Sequence, residues 1–123
     1  MNTSSHGLRA VKVIAIAVND MARATHFYSE VLALEPAMEK GQLRGYRLGE
    51  LVLMLKDEWY GTPTSEPNPR ITIECDHAPD TEAYLRARSV TIADPVTVVE
   101  EGYLVGSFLD SEGNKLWFCS ANG

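Results

Sequence analysis

The segment 70–76, R-I-T-I-E-C-D, concentrates side chains that are able to bind or transform a small molecule. Its residues alternate between polar and apolar, which is typical of a β-strand with one face on a core. The polar side chains share the other face: Arg70, Thr72 and Glu74. Arg70 can bind a carboxylate or phosphate through two parallel hydrogen bonds, or pair with Glu74. Glu74 is the strongest candidate for a general acid or base, but the nearby cation favours its ionised form.

Three aromatic side chains are suited to stacking against a flat ligand. Trp117 alternates with Leu116 and Phe118, so it points away from the apolar face of its strand. It can stack on a ligand, fill a cavity or pack in a dimer contact. Trp59 and Tyr60 lie in a proline-containing segment, where they can form a lid over a ligand or fold back onto the core.

Motifs for metal binding and covalent catalysis are absent from the sequence. The three histidines (His6, His26 and His77) occur singly, and H-x-E, H-E-x-x-H, C-x-x-C and G-x-S-x-G do not occur. Cys75 and Cys119 lack metal-type spacing, and two cysteines are too few for a disulfide scaffold. These features predict a reduced, cytoplasmic protein.

Length and charge limit the classes of function. The chain has 123 residues, which fits one domain over 1–123. Its net charge is -6, and residues 58–123 carry the whole acidic surplus. A nucleic-acid partner is therefore not expected, because phosphate binding needs a basic face. The longest apolar run, 13–18, is too short to span a membrane, and the polar N-terminus predicts no signal peptide.

The hydrophobic pattern predicts two helices and a series of short strands. Apolar residues recur with helical spacing over 24–32, and Pro79 begins a second helix that runs to about Arg88. Strands are predicted at 11–18, 43–48, 50–56, 70–76, 95–101, 103–109 and 114–119. The sequence D-S-E-G-N at 110–114 is predicted to form the turn before the last strand.

The two halves of the chain share a pattern at an offset of 57 residues. The matched positions are Ile14 and Ile16 with Ile71 and Ile73, Phe27-Tyr28 with Tyr84-Leu85, and Gly45-Tyr46 and Gly49 with Gly102-Tyr103 and Gly106. Such a repeat predicts two copies of one structural unit. We assign module one to about 10–57, a proline-rich linker to 57–69 and module two to about 70–120.

This arrangement resembles the vicinal oxygen chelate superfamily, which includes glyoxalase I, bleomycin resistance proteins and ring-cleaving dioxygenases. Two segments carry the resemblance: A-V-N-D-M-A-R-A-T-H-F-Y-S-E-V-L-A-L (17–34) and S-F-L-D-S-E-G-N-K-L-W-F (107–118). It implies an α+β fold in which two tandem βαβββ modules form a curled, mostly antiparallel eight-strand sheet around a cleft. The helices are expected on the outer face.

Enzymes of this superfamily hold a divalent metal with four side chains, from the first and last strands of each module. The resemblance places these positions at Val13, Met54, Arg70 and Trp117. The methionine is a soft thioether ligand and the arginine is a fixed cation that repels metal ions. We therefore predict no metal at these positions and no cofactor.

The resemblance favours a metal-free protein of the bleomycin-resistance type, which binds a small planar or aromatic molecule and forms a homodimer. The predicted ligand-binding residues are Arg70, Trp117, Met54, Glu74, Trp59, Tyr60, Val13 and Thr72. The alternative is an enzyme of the glyoxalase or dioxygenase type (a lyase, isomerase or ring-cleaving enzyme), with unusual metal ligands or with Glu74 as acid or base. A third hypothesis is an interaction module whose cleft is filled by Trp117 and Met54. The acidic second half favours a cationic ligand and Arg70 an anionic one, so the sequence leaves the ligand's charge open.

Overall fold

A computed structural model describes residues 6–7, 10–58, 61–67, 69–99 and 102–122. Its elements follow the predicted α+β order of two βαβββ modules. Module one contains β1 (Val13–Ala17), α1 (Met21–His26), β2 (Glu35–Glu39), β3 (Gln42–Leu48) and β4 (Leu51–Lys56). Module two contains β5 (Thr72–Glu74), α2 (Ala78–Ala87), β6 (Ile92–Val99), β7 (Tyr103–Leu109) and β8 (Lys115–Ala121). The predicted fold class is confirmed.

Each module forms its own four-stranded sheet, with strand orders β1-β4-β3-β2 and β5-β8-β7-β6. The β1–β4 and β5–β8 pairs are parallel and the other pairs are antiparallel. The eight strands therefore form two sheets, where the resemblance implied one continuous sheet. Residues of β1 and β5 line common cavities, so the edges of the two sheets lie side by side.

Each helix covers one face of its own sheet. Asp20 caps α1 by accepting a hydrogen bond from the Arg23 backbone N–H at 2.9 Å. The chain continues from α1 into a wider π-helical turn over Phe27–Val31, in which Tyr28 stacks on Tyr46 of β3 at 5.8 Å between ring centroids. Within the described part of the chain, no helix is long and apolar enough to cross a membrane.

The covered faces of the two sheets share one hydrophobic core. Phe27 of module one lies 6.5 Å from Phe108 of module two between ring centroids. In the other direction, the Tyr84 hydroxyl of α2 donates a hydrogen bond to the Val31 carbonyl at 2.8 Å. Each helix region therefore contacts the opposite module, so neither module buries its apolar face alone.

The predicted 110–114 turn also joins the modules. The Tyr28 hydroxyl donates to the buried Asp110 carboxylate at 2.7 Å. Burial, followed by the charge and the hydrogen bond of Asp110, raises the pKa of Tyr28 well above its usual value. Asn114 donates from its side-chain amide to the Ala17 carbonyl at 2.7 Å and accepts from the Thr64 backbone N–H at 3.0 Å. A short polar motif thus holds β1 and the linker against the start of β8.

Strand β2 was not predicted by the hydrophobic pattern. Its sequence, E-P-A-M-E, contains a proline and only one buried residue, Ala37. Pro36 is accommodated because β2 is the outermost strand of its sheet, where a missing N–H breaks no ladder hydrogen bond. Pro95 lies in β6, the outermost strand of the other sheet, for the same reason.

The repeat at an offset of 57 residues is correct for the first strands but wrong for the later hairpins. Tyr46 lies inside β3 and is completely buried, whereas Tyr103 begins β7 and is 50% exposed. The Gly-Tyr match was therefore a coincidence. Strand β6 has eight residues where β2 has five, and the turn before β8 spans 110–114 where the β3–β4 turn spans 49–50, so the last strands of module two are shifted further along the chain.

Candidate ligand-binding site

Two of the predicted site residues, Trp117 and Met54, lie on sheet faces that point away from the hydrophobic core. On β8, Leu116 and Phe118 are each 1% exposed in the core, and the half-buried Trp117 points to the opposite face. On β4, Leu53 is 1% exposed in the core, so Met54 likewise points away from it. The alternation predicted from the sequence around Trp117 is confirmed in β8.

The four positions at which the resemblance implied metal ligands occupy matching places in the two sheets. Met54 pairs with Ala15 of β1, and Trp117 pairs with Thr72 of β5. Val13 lies two residues before Ala15, and Arg70 lies two residues before Thr72.

These four side chains do not fit a divalent cation. The aliphatic Val13 has no donor atom, the Trp117 indole N–H is only a hydrogen-bond donor, and the Arg70 cation repels metal. Among the described residues, no group of three or more His, Cys, Asp or Glu is arranged to hold a metal ion. His77 caps the start of α2 and its Nδ1 lies 3.2 Å from the Asp80 carboxylate, while His26 is exposed on α1.

Arg70 and Trp117 are in direct contact. The guanidinium carbon of Arg70 lies 4.1 Å from the Trp117 ring centroid, which is a cation–π geometry. The alternative ion pair with Glu74 is not made in the structure, since Arg70 has no carboxylate partner among the described residues. One cation therefore lies on an aromatic ring and has no ion-pair partner in the part of the chain that the structure describes.

Sequence reasoning missed three residues beside Trp117. Lys115 lies two residues earlier on the same face of β8, with its Nζ 4.6 Å from the Trp117 ring centroid. The same Nζ pairs with the Asp94 carboxylate at 2.7 Å, and the buried Ser107 hydroxyl donates to Asp94 at 2.6 Å. The alternation of β8 could have identified Lys115. Asp94 could not be found in this way, because it lies on β6 and reaches Lys115 only in the folded sheet.

These contacts determine the charge of Asp94. The hydrogen bonds from Lys115 and then Ser107 lower the pKa of Asp94 below its usual value, and the charges of Lys115 and Arg70 contribute further. Asp94 is therefore an anion at neutral pH. Arg70 and Lys115 thus place two cations at the Trp117 ring, and Asp94 pairs with one of them, Lys115.

Of the remaining predicted residues, Thr72 lies beside this cluster, because it pairs with Trp117. Thr72 and Glu74 line a cavity of about 280 Å³ at the boundary of the two sheets, together with Ile14, Ile71 and the β3–β4 turn. A second cavity of about 260 Å³ lies between β1 and the linker. Neither cavity is lined by Arg70 or Trp117. Trp59 and Tyr60 lie outside the described residues, so their predicted lid role stays a prediction.

A family model for the glyoxalase, bleomycin resistance protein and dioxygenase superfamily matches residues 10–118. The chain belongs to this superfamily. The match extends from the start of β1 to Phe118 and includes both modules. No curated protein sequence matches the chain significantly.

Solved structures of the superfamily share the fold at low sequence identity. A lactoylglutathione lyase from Agrobacterium tumefaciens superimposes with a TM-score of 0.72 at 19% identity, covering 93% of this chain and 95% of its own. TnmS3, an antibiotic binding protein from Streptomyces sp. CB03234, gives a TM-score of 0.74 at 18% identity, with coverages of 94% and 98%. A glyoxalase family protein from Bacillus anthracis gives 0.76 at 14% identity, with coverages of 98% and 99%. At these identities the likeness establishes the fold alone.

Proposed function

We propose that this protein binds a small planar molecule and does so without a metal, in the manner of the antibiotic-binding members of its superfamily. The observation that carries the proposal is the contact of Arg70 with Trp117 on an uncovered sheet face. By the resemblance of the motifs, these residues stand at positions where the enzymes hold metal ligands. An aromatic ring and a cation can stack on and orient a flat ligand, but they cannot activate one through a metal.

The two kinds of structural neighbour support different functions, and the donor chemistry favours one of them. The lyase and the antibiotic binding protein have similar TM-scores, so the fold does not discriminate. Val13, Met54, Arg70 and Trp117 replace every expected ligand position, which argues against the metal-dependent reaction. The apolar residues Val105 and Cys119, which pair with each other next to Trp117 and Ser107, extend the surface available to a ligand.

Substitutions at Arg70 and Trp117 test the proposal by binding. In a Trp59→Phe background Trp117 is the remaining tryptophan, and planar aromatic acids, nucleotides and planar antibiotics are titrated against its fluorescence. We expect quenching by at least one class. Arg70→Ala should weaken that binding by about 1.5–3 kcal/mol, the value of a charge-assisted hydrogen bond. Trp117→Ala should weaken it by about 1 kcal/mol or more through lost stacking.

Unfolding measurements on the same variants separate binding from structure. If Arg70→Ala unfolds the protein and leaves binding by the folded fraction unchanged, Arg70 is a structural residue. In that case the site assignment is wrong.

The metal content of the purified protein provides a second test. Because the four positions lack suitable donors, we expect no stoichiometric divalent metal in protein prepared without chelator. Elemental analysis measures this directly. About one zinc, nickel, iron or manganese per chain, lost on replacing His26 or His77, would contradict the proposal and favour an enzyme.

An enzymatic role for Glu74 is the second candidate function. Glu74 lies on the exposed side of β5 and lines the 280 Å³ cavity beside apolar residues. A carboxylate at a small cavity is suited to proton transfer. Turnover of glyoxalase-type substrates that is lost in Glu74→Gln, with the fold retained, would support this function over simple binding.

We further propose a cytoplasmic homodimer in which the second copy helps to enclose the ligand. Free thiols at Cys75 and Cys119 are typical of the reducing cytoplasm. Three apolar or aromatic side chains, those of Val13, Val99 and Tyr103, are at least 38% exposed. Exposed apolar surface of this kind is suited to a protein contact. Sedimentation at micromolar concentration should give a dimer, and a single 13.6 kDa species would contradict it.

A further inference from the structure

The cluster around Trp117 contains the parts of an anion-binding site. Arg70 and Lys115 both lie over the ring, at 4.1 and 4.6 Å from its centroid. The Ser107 side chain is fully buried and directs its hydroxyl toward the same point as the Lys115 ammonium. Charged and neutral donors that converge in this way are typical of sites for carboxylate, sulfonate or phosphate groups.

In the structure this arrangement is occupied by a carboxylate of the chain itself. Asp94 accepts from Lys115 at 2.7 Å and from Ser107 at 2.6 Å. Its side chain is 55% exposed, whereas that of Lys115 is 20% exposed. A half-exposed carboxylate is held weakly, because water solvates it nearly as well as its partner does. The donors Lys115 and Ser107 are thus more buried than the carboxylate that they bind, so the acceptor is the part most easily replaced.

We propose that the ligand of this site is an aromatic anion whose acidic group replaces the Asp94 carboxylate at Lys115 and Ser107, while its ring lies at Trp117. The inference rests on the proposed function and adds the chemical class of the ligand. The displaced Asp94 carboxylate stays attached to β6, so the incoming anion adds one negative charge, which Arg70 can offset as a second cation that no ion pair in the described chain neutralises. The acidic surplus of residues 58–123 opposes this only weakly, since salt screens charges beyond about 8–10 Å.

A pair of fluorescent probes with one ring system tests the inference. The probes are 1-anilinonaphthalene-8-sulfonate, an anion, and N-phenyl-1-naphthylamine, which lacks the sulfonate. Asp94→Asn removes the competing carboxylate. This variant should therefore bind the sulfonate about tenfold more tightly, and its affinity for the neutral amine should be unchanged. Lys115→Gln breaks the same ion pair from the other side and should bind the sulfonate about tenfold more weakly.

The opposite signs of the two variants distinguish a ligand site from a structural ion pair. Glu39→Gln is the matched control for Asp94→Asn, because it breaks an exposed carboxylate–arginine pair with Arg44 and changes the net charge by the same amount. It should leave both dissociation constants unchanged.

Three results would overturn the inference. The first is the same change in sulfonate binding for Asp94→Asn and Lys115→Gln. The second is an equal gain for the neutral amine in Asp94→Asn. The third is tight binding of the amine by the unmodified protein with no preference for the sulfonate. That result would show that the ligand needs no acidic group, and it would leave the proposed function standing. Failure of both probes and of the planar compounds above would contradict the proposed function itself.

Discussion

Glu112→Ala should lower the free energy of unfolding by about 3 kcal/mol, which is a large part of the stability of a domain of this size. The Glu112 side chain is fully buried and belongs to module two, but its partners belong to module one. It accepts two hydrogen bonds from the Arg23 guanidinium, at 2.7 and 3.0 Å, and others from the backbone N–H groups of Asn19 and Asp20. Alanine would leave these donors without their acceptor. Urea unfolding followed by circular dichroism measures the loss.

The same carboxylate makes stability depend on pH. The hydrogen bond from Arg23, followed by those from Asn19 and Asp20, lowers the pKa of Glu112 to about 2 from its usual 4.5, against the opposing effect of burial. Because the folded state keeps this carboxylate charged to a lower pH, its contribution is complete above pH 4.5 and is lost as the pH falls toward 2. Glu112→Gln should therefore flatten the stability profile in this window.

The control for Glu112 is Glu39→Ala, which removes an exposed ion pair within one hairpin. Such pairs contribute little, so the expected change is below about 1 kcal/mol. Equal losses in the two variants would mean that the 110–114 turn does not hold the modules together. An unchanged acid profile in Glu112→Gln would contradict the lowered pKa.

Gly45→Ala should destabilise the protein by about 3 kcal/mol or more, because the β3–β4 contact has no space for a side chain. A Cβ atom at this position would overlap the Leu53 carbonyl oxygen and lie 2.8 Å from Cγ1 of Val52. Backbone atoms of a paired strand cannot move aside as a flexible side chain can. Relief would require β3 to separate from the strand that carries Met54. Thermal unfolding should show a lower midpoint.

Gly49→Ala provides the comparison for Gly45. Gly49 has a positive φ of 65° in the β3–β4 turn, but a Cβ there would meet no atom within 4 Å. Its replacement should cost about 1 kcal/mol, from backbone strain alone. If Gly45→Ala were no more harmful than Gly49→Ala, the close approach of β3 and β4 would not be a constraint on the fold.

Local patterns predicted the parts of the fold that depend on periodicity. The alternation in 70–76 correctly separated the core residues from Arg70, Thr72 and Glu74, because successive side chains in a strand point to opposite faces. The helical spacing over 24–32 located α1 and its π-helical continuation, since one apolar stripe must face the core. Strand β2 was missed because an outer strand with a proline carries almost no such pattern.

The candidate site was predictable only in part. Residues on a single strand show a local pattern, whereas contacts between strands that are far apart in the sequence do not. Arg70 and Trp117 were identified from motif position and alternation, and their contact at 4.1 Å agrees with a common face. Lys115 was within reach of the same reasoning, since it lies two residues from Trp117 on one strand. Its pairing with Asp94 was not, because the two residues come from β8 and β6, which are separated in their sheet by β7.

The sequence by itself determined the two-module fold and the faces of the strands at 70–76 and β8, because these depend on residue type and spacing. Tertiary structure decided that the modules form two sheets with one shared core. It also decided that the 110–114 turn, predicted only as a turn, connects them through Glu112 and Asp110. Strand order and register brought a carboxylate from β6 to the cations beside Trp117. Contacts between distant segments have no local pattern, since their free energy arises only when the chain has folded.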